Sequence, residues 1–567
     1  MNKLLLCFAL LFAATTIFAQ PQIQNWENGT KKSEENFKNG IQEGKSLYWY
    51  KNGKLAKEVE YKGGKEEGLL TRYYEDGKIK GTESYTFGNK NGPWVYYYSN
   101  GIKAQEMFYK YNWLDSSLKS WYENGNLKSE EFYKKRKKEG RWTYFYENGM
   151  KQNEGFFKNN LQNGSYTSWY PNGKLEKVGS FTNDTLSGEW TLYYSNGKVK
   201  EVGLYNNGKY QLKNYWDEDG KQCVVDGNGL YYLNFENRNK KLEGNYVKGY
   251  PDGKWIYYLP NGKIEYTLNY KEGKKNGESL YYFENGKVNK QGNYENDLKT
   301  GSWSWFREDG SKDMTGTFKE DRQEGHWTYY FENGKKEFEG NYKNALHEEE
   351  WTYYYATGEL WKRGLFKNDL KNGLWSTYFE NGQKLQEGNY LNNKEEGLWT
   401  AWYENGQMKD EGSFKLGQMD GAWKGWYPNG KQSYSGFYKE KGKDGIWTNW
   451  NENGIKVKEE TYVNGRLLGA TSKWFEDGKL KETGAYENER KVGTWNFYYE
   501  NGNKFAEINF KKGLQEGKKT TWYNYGGIWQ KGQFVNDKMD GKWQTFDKNG
   551  KLISTVYYKR GKIEREE

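Results

Sequence analysis

An Asn-Gly or Asp-Gly pair returns every 24 residues along most of this 567-residue chain, and the same aromatic residues flank each pair. A fixed period of roughly 20 to 50 residues is typical of repeat proteins, in which each unit contacts only its neighbours. The period therefore predicts one tandem array of small units, not several separate globular domains. Four of the glycines that we assign to structural turns are Gly334, Gly382, Gly406 and Gly430.

Each unit has the pattern of a β-hairpin. Two aromatic-rich runs flank Asn333-Gly334, for example, and Asn-Gly between alternating runs is the strongest short-range signal for a hairpin. We expect a two-residue type I′ turn, which requires a positive φ at both positions. Counting outward from this turn places Glu332 opposite Lys335, an oppositely charged pair.

Further outward, the same count pairs large rings with bare glycines. Trp327 then faces Gly340, and Tyr342 faces Gly325. A ring that lies over a cross-strand glycine shields the backbone there. Because side chains alternate between the two faces of a strand, these rings and glycines share one packed face, which we call the tryptophan face.

The opposite face carries Thr or Ser, the charged residues beside the turn, and one aromatic residue four positions before each turn glycine. In four successive units that residue is Trp, and we call these four residues the tryptophan stripe: Trp402, Trp426, Trp450 and Trp474. Such a stripe is a candidate stacking platform for sugar rings. The simpler alternative is that the rings only pack against each other along the sheet.

Connections between hairpins, such as residues 343–347, are too short for a crossover helix, so successive hairpins are expected to be antiparallel neighbours. No helical segment is evident. The predicted fold is all-β: an elongated, twisted antiparallel sheet of tandem 24-residue β-hairpin repeats, as a single-layer or solenoid-like ribbon.

The repeat register fails once, at residues 221–239, where a unit is shortened and its turn glycine is missing. We interpret this irregular seam as a kink or boundary between an N-terminal array at 20–220 and a C-terminal array at 240–558. A loop of special function is the alternative. The charged segment 559–567 is expected to cap the open edge of the sheet.

The N-terminus has the features of a secretory signal peptide. Lys3 precedes an apolar run from Leu4 to Phe18, and Ala19 is a plausible last residue before cleavage. Residues 1–19 are therefore predicted to be removed, and the mature protein to be exported to the periplasm, outer envelope or extracellular space. It would keep a single cysteine, Cys223, and no internal disulfide.

Composition excludes some classes of protein. Disordered chains lack aromatic residues, whereas this chain has 53 Tyr and 27 Trp. Its 87 basic and 77 acidic residues are interleaved in every unit, which favours a solvated surface over a nucleic-acid site. The net charge of +10 leaves anionic lipid open as a partner.

No motif for catalysis, cofactor binding or metal binding stands out. His326 and His347 are the only histidines, and neither has a Cys or His partner at ligand spacing. Carboxylates are abundant, but no glycosidase pair can be singled out. We therefore expect no enzymatic activity, no cofactor and no metal.

The segment from Gly412 to Gly430 resembles the MORN repeat, and the aromatic core at residues 495–504 is similar to the MORN-repeat variant of bacterial proteins. This resemblance implies an extended β-hairpin scaffold for protein contacts. It also implies lipid binding, as proposed for some relatives, or the antitoxin role attributed to others. A rival resemblance is the choline- or glucan-binding cell-wall repeat, whose period is shorter.

The sequence as a whole predicts a non-catalytic, exported repeat scaffold that mediates protein–protein interaction at the bacterial envelope. Two alternatives stay open. One is binding of a carbohydrate or envelope polymer through the tryptophan stripe, and the other is the antitoxin-like partner binding that the resemblance implies.

Overall fold

The computed structural model describes residues 21–440 and 442–567, so the predicted signal peptide at 1–19 lies outside the described residues. The described chain forms 50 β-strands and no helix, and accordingly it contains no helix long and apolar enough to cross a membrane. The prediction of an all-β fold built from tandem hairpins is confirmed.

The first 25 strands are β1 Gln22–Asn25, β2 Lys31–Glu35, β3 Phe37–Lys38, β4 Ile41–Gln42, β5 Gly44–Trp49, β6 Leu55–Lys62, β7 Lys65–Tyr73, β8 Ile79–Thr86, β9 Asn89–Tyr97, β10 Lys103–Lys110, β11 Trp113–Trp121, β12 Leu127–Lys134, β13 Lys137–Lys138, β14 Gly140–Phe145, β15 Lys151–Lys158, β16 Leu161–Trp169, β17 Leu175–Thr182, β18 Thr185–Tyr193, β19 Val199–Asn206, β20 Lys209–Trp216, β21 Gln222–Val225, β22 Asn228–Asn234, β23 Lys240–Val247, β24 Tyr250–Tyr258 and β25 Ile264–Lys271.

The other 25 strands are β26 Lys274–Tyr282, β27 Val288–Glu295, β28 Leu298–Phe306, β29 Lys312–Lys319, β30 Arg322–Tyr330, β31 Lys336–Lys343, β32 Leu346–Tyr354, β33 Leu360–Lys367, β34 Leu370–Tyr378, β35 Lys384–Leu391, β36 Lys394–Trp402, β37 Met408–Lys415, β38 Gln418–Trp426, β39 Gln432–Lys439, β40 Gly442–Trp450, β41 Lys456–Val463, β42 Arg466–Trp474, β43 Leu480–Glu487, β44 Arg490–Tyr498, β45 Lys504–Lys511, β46 Leu514–Trp522, β47 Ile528–Val535, β48 Lys538–Phe546, β49 Leu552–Lys559 and β50 Lys562–Glu566.

The chain divides into two compact units. Unit 1 ends at Lys263 and also includes Asn269–Lys274, whereas unit 2 comprises Ile264–Leu268 and Lys275–Glu567. This division falls downstream of the seam at 221–239. Within each unit, strands that follow each other in the sequence pair antiparallel, as in β18 with β19 and β34 with β35.

The turn at each Asn-Gly pair is not the predicted type I′ turn. Gly334 has a φ of 79°, but Asn333 is not in the left-handed region. The Gly334 N–H donates to the Phe331 carbonyl at 2.9 Å, and the Phe331 N–H donates to the Lys335 carbonyl at 2.8 Å. The loop therefore has three residues, a type I turn followed by a left-handed glycine, and Glu332 does not face Lys335.

The pairing further from the turn is nevertheless as predicted. Trp327 pairs with Gly340, because a shift in register between Tyr329 and Tyr330 compensates for the extra loop residue. Such β-bulges insert one residue into one strand of an antiparallel pair. The predicted pairing is therefore wrong only for the residues next to the turn, and it is correct from Tyr329 outward.

Type I′ turns occur instead at the connections between hairpins. Asn344 and Ala345 have φ values of 51° and 66°, and Lys343 pairs with Leu346 across them. Asn368 and Asp369 repeat this geometry at the next connection. Tight turns therefore join consecutive strands at both edges of the sheet, as the short connections predict.

The core lies on the tryptophan face. Trp303, Trp327, Trp351 and Trp495 are each at most 2% exposed. Each ring meets a Tyr or Phe ring edge-on, as in Tyr342 with Trp351, whose centroids are 5.1 Å apart at an interplanar angle of 88°. Edge-to-face pairs of this kind contribute about 0.5 to 1.5 kcal/mol beyond the burial of their area.

Eleven indoles cover a glycine of the preceding hairpin, and not the glycine across their own hairpin as we predicted; Trp142, which lies on Gly155 of its own hairpin, is an exception. A Cβ added to Gly340 would lie 2.2 Å from Cδ2 of Trp351, and one added to Gly364 would lie 2.1 Å from Trp375. Nε1 of Trp351 donates to the Asn341 carbonyl at 3.1 Å, which fixes the ring in this orientation. The ring-over-glycine contact therefore joins successive repeats.

The second predicted contact of this kind is not formed. Gly325 pairs with Tyr342, but the nearest atom to a Cβ added there is Oγ1 of Thr317, at 3.1 Å. Gly325 has a φ of 65°, and Glu349 has a φ of 62° at the same repeat position. This glycine is therefore required by the backbone conformation and not by a covering ring.

Strand pairing continues through the seam within unit 1. β21 has only four residues, which accounts for the shortened repeat. Arg238, with a φ of 67°, takes the place of the turn glycine and donates its N–H to the Phe235 carbonyl at 2.9 Å. Leu212, Tyr215 and Val224 are fully buried in a small local cluster.

A methyl group on a covered glycine should be strongly destabilising. We expect Gly364→Ala to lower the local free energy of unfolding by about 1 to 3 kcal/mol, because Cβ would overlap the Trp375 ring. Hydrogen exchange of β33 and β34 in the full-length protein measures this effect. The exposed Arg363→Ala on the same strand is the control, and equal exchange in the two variants would refute the expectation.

Candidate interaction surface

The four residues of the tryptophan stripe are half-buried and lie close to the Asn-Gly turns, on the face opposite the core. Their backbone is fixed by tyrosines that directly precede the turn residues of the previous repeat. The Tyr403 hydroxyl donates to the Trp426 carbonyl at 2.9 Å, and the Tyr427 hydroxyl donates to the Trp450 carbonyl at 2.8 Å. Each hydrogen bond crosses from one hairpin to the next.

The Asn-Gly turns are also linked to one another. Nδ2 of Asn405 donates to the Pro428 carbonyl in the next turn at 3.0 Å, while its Oδ1 accepts the Gln407 N–H of its own turn at 3.0 Å. Nδ2 of Asn429 donates in the same way to the Glu452 carbonyl at 2.8 Å. The turn asparagine therefore stabilises its own loop and is hydrogen-bonded to the next one. These bonds fix the spacing of successive turns, and so of the stripe residues beside them.

A lysine lies across the first ring of the stripe. Nζ of Lys384 is 5.6 Å from the ring centroid of Trp402 and 2.9 Å from Oε2 of Glu387. Burial opposes ionisation of Glu387, but hydrogen bonds from Ser376 and Lys384 outweigh it, so the pKa of this carboxyl lies below its usual range. The charged carboxylate thus holds the lysine beside the indole.

The stripe indoles remain separate from one another. Between Trp402 and Trp474, no ring–ring contact joins any two of the four indoles in the part of the chain that the structure describes. Trp474 has a lysine at the same position as Trp402, with Nζ of Lys456 at 5.2 Å from the ring centroid. A ligand that stacks on the stripe would therefore have to share these rings with lysine side chains.

A second row of side chains on this face was missed by the sequence analysis. It consists of Leu365, Leu374, Leu398, Phe437 and Ile446, which we call the apolar row. These side chains are 42 to 59% exposed. Leu374, Leu398 and Ile446 directly precede a tryptophan of the tryptophan face, so their side chains point to the opposite face. An apolar residue at this position was the signal in the sequence that could have predicted the row.

The apolar row crosses eight strands of unit 2, from β33 to β40, and is interrupted by Asn389 and Ser413. Leu374 pairs with Asn389, Leu398 with Ser413, and Phe437 with Ala422, so short side chains separate the large ones. From β33 to β40 there are seven steps between neighbouring strands, and at about 4.8 Å per step the row is about 34 Å long. The large side chains protrude from this face.

A polar row separates the apolar row from the tryptophan stripe. Oγ of Ser376 donates to Glu387 at 2.6 Å, and Thr400 pairs with Glu411. Arg363 and Lys424 occupy the same row, so it carries charges of both signs. Unit 2 therefore presents three parallel rows on this face: aromatic, charged and apolar.

Seventeen segments of the chain, which together cover more than half of it, match a family described as MORN repeat variant. The chain belongs to this family. The matched residues are 42–62, 66–86, 90–111, 114–135, 138–159, 162–183, 186–207, 251–272, 275–296, 323–344, 350–368, 371–392, 395–416, 419–440, 443–464, 491–512 and 539–566.

Each MORN-variant repeat corresponds to one hairpin that is closed by an Asn-Gly turn. The repeat at 371–392, for example, contains nearly all of β34 and β35, and its ends fall at the type I′ turns. The tryptophan stripe takes one position from such a repeat, and the apolar row takes two, one on each strand of the hairpin. They are therefore surface features that vary from repeat to repeat on a constant hairpin.

No curated protein is significantly similar to this MORN-variant chain. Among solved structures, a chain in the crystal structure of TcdB2-TccC3-Cdc42 aligns with 96% of this chain and 31% of its own length, at 11% identity and a TM-score of 0.13. A chain in the structure of the Photorhabdus luminescens Tc holotoxin pore aligns with 95% of this chain and 30% of its own length, at 12% identity and a TM-score of 0.13. The MORN-variant chain spans about a third of the length of these chains.

The side chains with the most reactive groups have local partners. Nε2 of His326 is 3.1 Å from Oε2 of Glu339, and Nδ1 of His347 is 2.6 Å from Oδ1 of Asp369. Cys223 is a free thiol. Within residues 21–440 and 442–567, no group of three or more His, Cys, Asp or Glu side chains is arranged to hold a metal ion.

Removing the hydroxyls between repeats should loosen the stripe. We expect Tyr403→Phe combined with Tyr427→Phe to speed hydrogen exchange in β38 and β40, because each lost hydrogen bond is worth about 0.5 to 1.5 kcal/mol. Tyr378→Phe is the control, since its hydroxyl has no hydrogen-bond partner among the described residues. Unchanged exchange in the double variant would contradict this role.

Proposed function

We propose that this MORN-variant protein is a non-catalytic, exported scaffold that mediates protein–protein interaction at the bacterial envelope. The apolar row of unit 2 is the observation that carries the proposal. Monomeric soluble proteins rarely expose contiguous apolar surface, and where they do it often marks an interaction site. Five large side chains, each 42 to 59% exposed along about 34 Å of sheet, are such a surface.

The chemistry of the row favours a protein partner. Leucine, isoleucine and phenylalanine side chains at regular intervals match the apolar face of another polypeptide, whereas polysaccharides bind mainly to flat rings and polar groups. The neighbouring polar row carries Arg363 and Lys424 but also Glu387 and Glu411. Acidic residues among the basic ones weaken attraction to an anionic lipid surface and suit a partner with charges of both signs.

Replacing the apolar row with charge tests the proposal. We expect Leu374→Lys, Leu398→Lys and Ile446→Lys together to abolish binding of a protein partner that is first identified by crosslinking to the full-length protein and then purified. Biolayer interferometry with the purified partner measures the loss.

A matched control separates a specific loss from a general effect of added charge. The control carries three Leu→Lys changes at exposed positions near the type I′ turns, 39 to 57% exposed: Leu370, Leu391 and Leu416. It should bind like the natural protein. Equal partner affinity in the two triple variants would overturn the role of the apolar row.

Export is supported by the charge and length of residues 1–19, which have the pattern of a signal peptide. We expect the protein expressed with its own N-terminus in a bacterium to be found outside the cytoplasm and to begin near Gln20. Cell fractionation with N-terminal sequencing checks this. A cytoplasmic protein that keeps the first 19 residues would exclude the envelope as its location.

Carbohydrate or envelope-polymer binding through the tryptophan stripe is the alternative, and the half-buried indoles favour it. Sugar rings stack on indoles, but the lysines across Trp402 and Trp474 compete for these rings. A glycan array probed with the natural protein and with a variant that has alanine at all four stripe positions decides the matter. Polysaccharide binding that survives in the variant would remove the stripe from consideration.

Antitoxin-like binding, which the family resemblance suggests, is a special case of partner binding. A toxin partner would be a protein, and the crosslinking experiment would capture it. The location of the MORN-variant protein would then distinguish the envelope scaffold from the antitoxin. An exported protein meets envelope partners, whereas a cytoplasmic protein meets intracellular toxins.

A further inference from the structure

Unit 1 contains a cleft of about 490 Å³ on the tryptophan face, between β14 and β20. It is open on one side, and its volume lies within the range of small-molecule binding sites. Aromatic side chains form much of its wall: Trp142, Tyr166, Phe181, Trp190, Tyr205 and Tyr210. Asn153, Gln162, Lys177 and Glu201 add polar groups.

Along the cleft, side chains without a ring occupy a repeat position that is filled by a ring in some other repeats. Four residues after the turn glycine, unit 1 has Asn153 and Lys177, whereas the corresponding residue of one repeat in unit 2 is Phe338. Phe338 stacks on Tyr329 with centroids 4.2 Å apart, so the sheet surface is filled there. The same surface is recessed along Asn153 and Lys177.

The Trp190 side of the cleft also lacks the lysine that covers the core in several other repeats. Eleven residues before the turn glycine, Lys371 lies 4.5 Å from the ring centroid of Trp375, and Lys443 lies 4.2 Å from that of Trp447. The corresponding residue is Leu186 in the Trp190 repeat and Lys138 in the Trp142 repeat, where Nζ of Lys138 lies 5.2 Å from the ring centroid of Phe157. Trp190 is therefore free of the lysine that covers the core tryptophan in those repeats.

Two polar groups in the wall have no hydrogen-bond partner. Nε1 of Trp142 and Oδ1 of Asn153 are both unsatisfied, although Trp190 donates its Nε1–H to the Ser180 carbonyl at 3.2 Å in the usual way. The Trp142 ring packs on Gly155 of its own hairpin and not on a glycine of the preceding hairpin. Glu131 occupies the position of that glycine. Both atoms are buried behind the cleft surface, and unsatisfied polar groups of this kind are rare in folded proteins.

We propose that this cleft binds a neutral pyranose carbohydrate. The apolar C–H face of the sugar stacks on the wall rings, and its hydroxyls pair with Nδ2 of Asn153 and with Gln162. Lys177 and Glu201 carry opposite charges in the same cleft, which selects against strongly charged ligands. A quaternary ammonium ligand, which aromatic walls also suit, has no hydroxyl that could pair with Asn153 and Gln162.

The test uses cellotetraose and chitotetraose as probes, with isothermal titration calorimetry on the full-length mature protein. We expect saturable binding of at least one probe. Leu186→Lys should raise the Kd at least about tenfold, because a lysine there covers Trp190 as Lys371 covers Trp375. Asn153→Leu should also raise the Kd about tenfold by removing the carboxamide.

Matched variants in unit 2 serve as controls. Leu467→Lys and Gln386→Leu make the same changes at the same repeat positions and should leave the Kd unchanged. The four-alanine variant of the tryptophan stripe should also bind normally, which distinguishes this cleft from the stripe. The proposal is overturned if neither probe binds, or if Leu186→Lys and Asn153→Leu bind as tightly as the natural protein.

Discussion

An indole ring that lies flat on a glycine of the preceding hairpin is the contact on which the whole repeat depends. Trp351 reaches Gly340 only because the glycine has no Cβ, and a hydrogen bond from the indole N–H to the next carbonyl fixes the ring. Few aliphatic residues are available to build a core in this chain. Large rings bury enough area from one face of a sheet to replace them.

The period of 24 residues follows from contacts at both edges of the sheet. At one edge, Tyr403 and Asn405 bond to carbonyls in the next turn. At the other edge, Asp369 donates its N–H to the His347 carbonyl at 3.0 Å and accepts the His347 N–H at 2.6 Å. The interval from Gly197 to Gly220 is one residue shorter, and a register shift between Val202 and Gly203 keeps the hydrogen bond from the Tyr194 hydroxyl to the Trp216 carbonyl, at 2.8 Å.

Much of this fold could be predicted from the sequence. Hairpins, antiparallel neighbours and the pairing of Trp327 with Gly340 follow from the position of Asn-Gly and from alternation along a strand. The turn type could not be predicted, because Asn-Gly suits both a two-residue type I′ loop and a three-residue loop that ends in a left-handed glycine. The direction of the indoles was also undetermined, since Gly340 has a tryptophan on each neighbouring strand.

The candidate surface was harder to predict. The tryptophan stripe is visible because the same residue type recurs at one position, as in Trp402 and Trp426. The apolar row is harder to see, because it combines two repeat positions on different strands, as in Leu374 and Phe437, and only the folded sheet brings these side chains onto one line. Leu374, Leu398 and Ile446 do share one repeat position, but the sequence alone does not show how far they are exposed.

The direction in which the indoles lean gives the chain a polarity. Where a hairpin is covered by the tryptophan of the hairpin that follows, as in eleven repeats, it is completed only after its C-terminal neighbour has formed. During synthesis the most recent hairpin would always lack its cover, while all earlier ones would be closed. Folding of such a chain would therefore proceed from the N-terminus, one repeat behind the growing end.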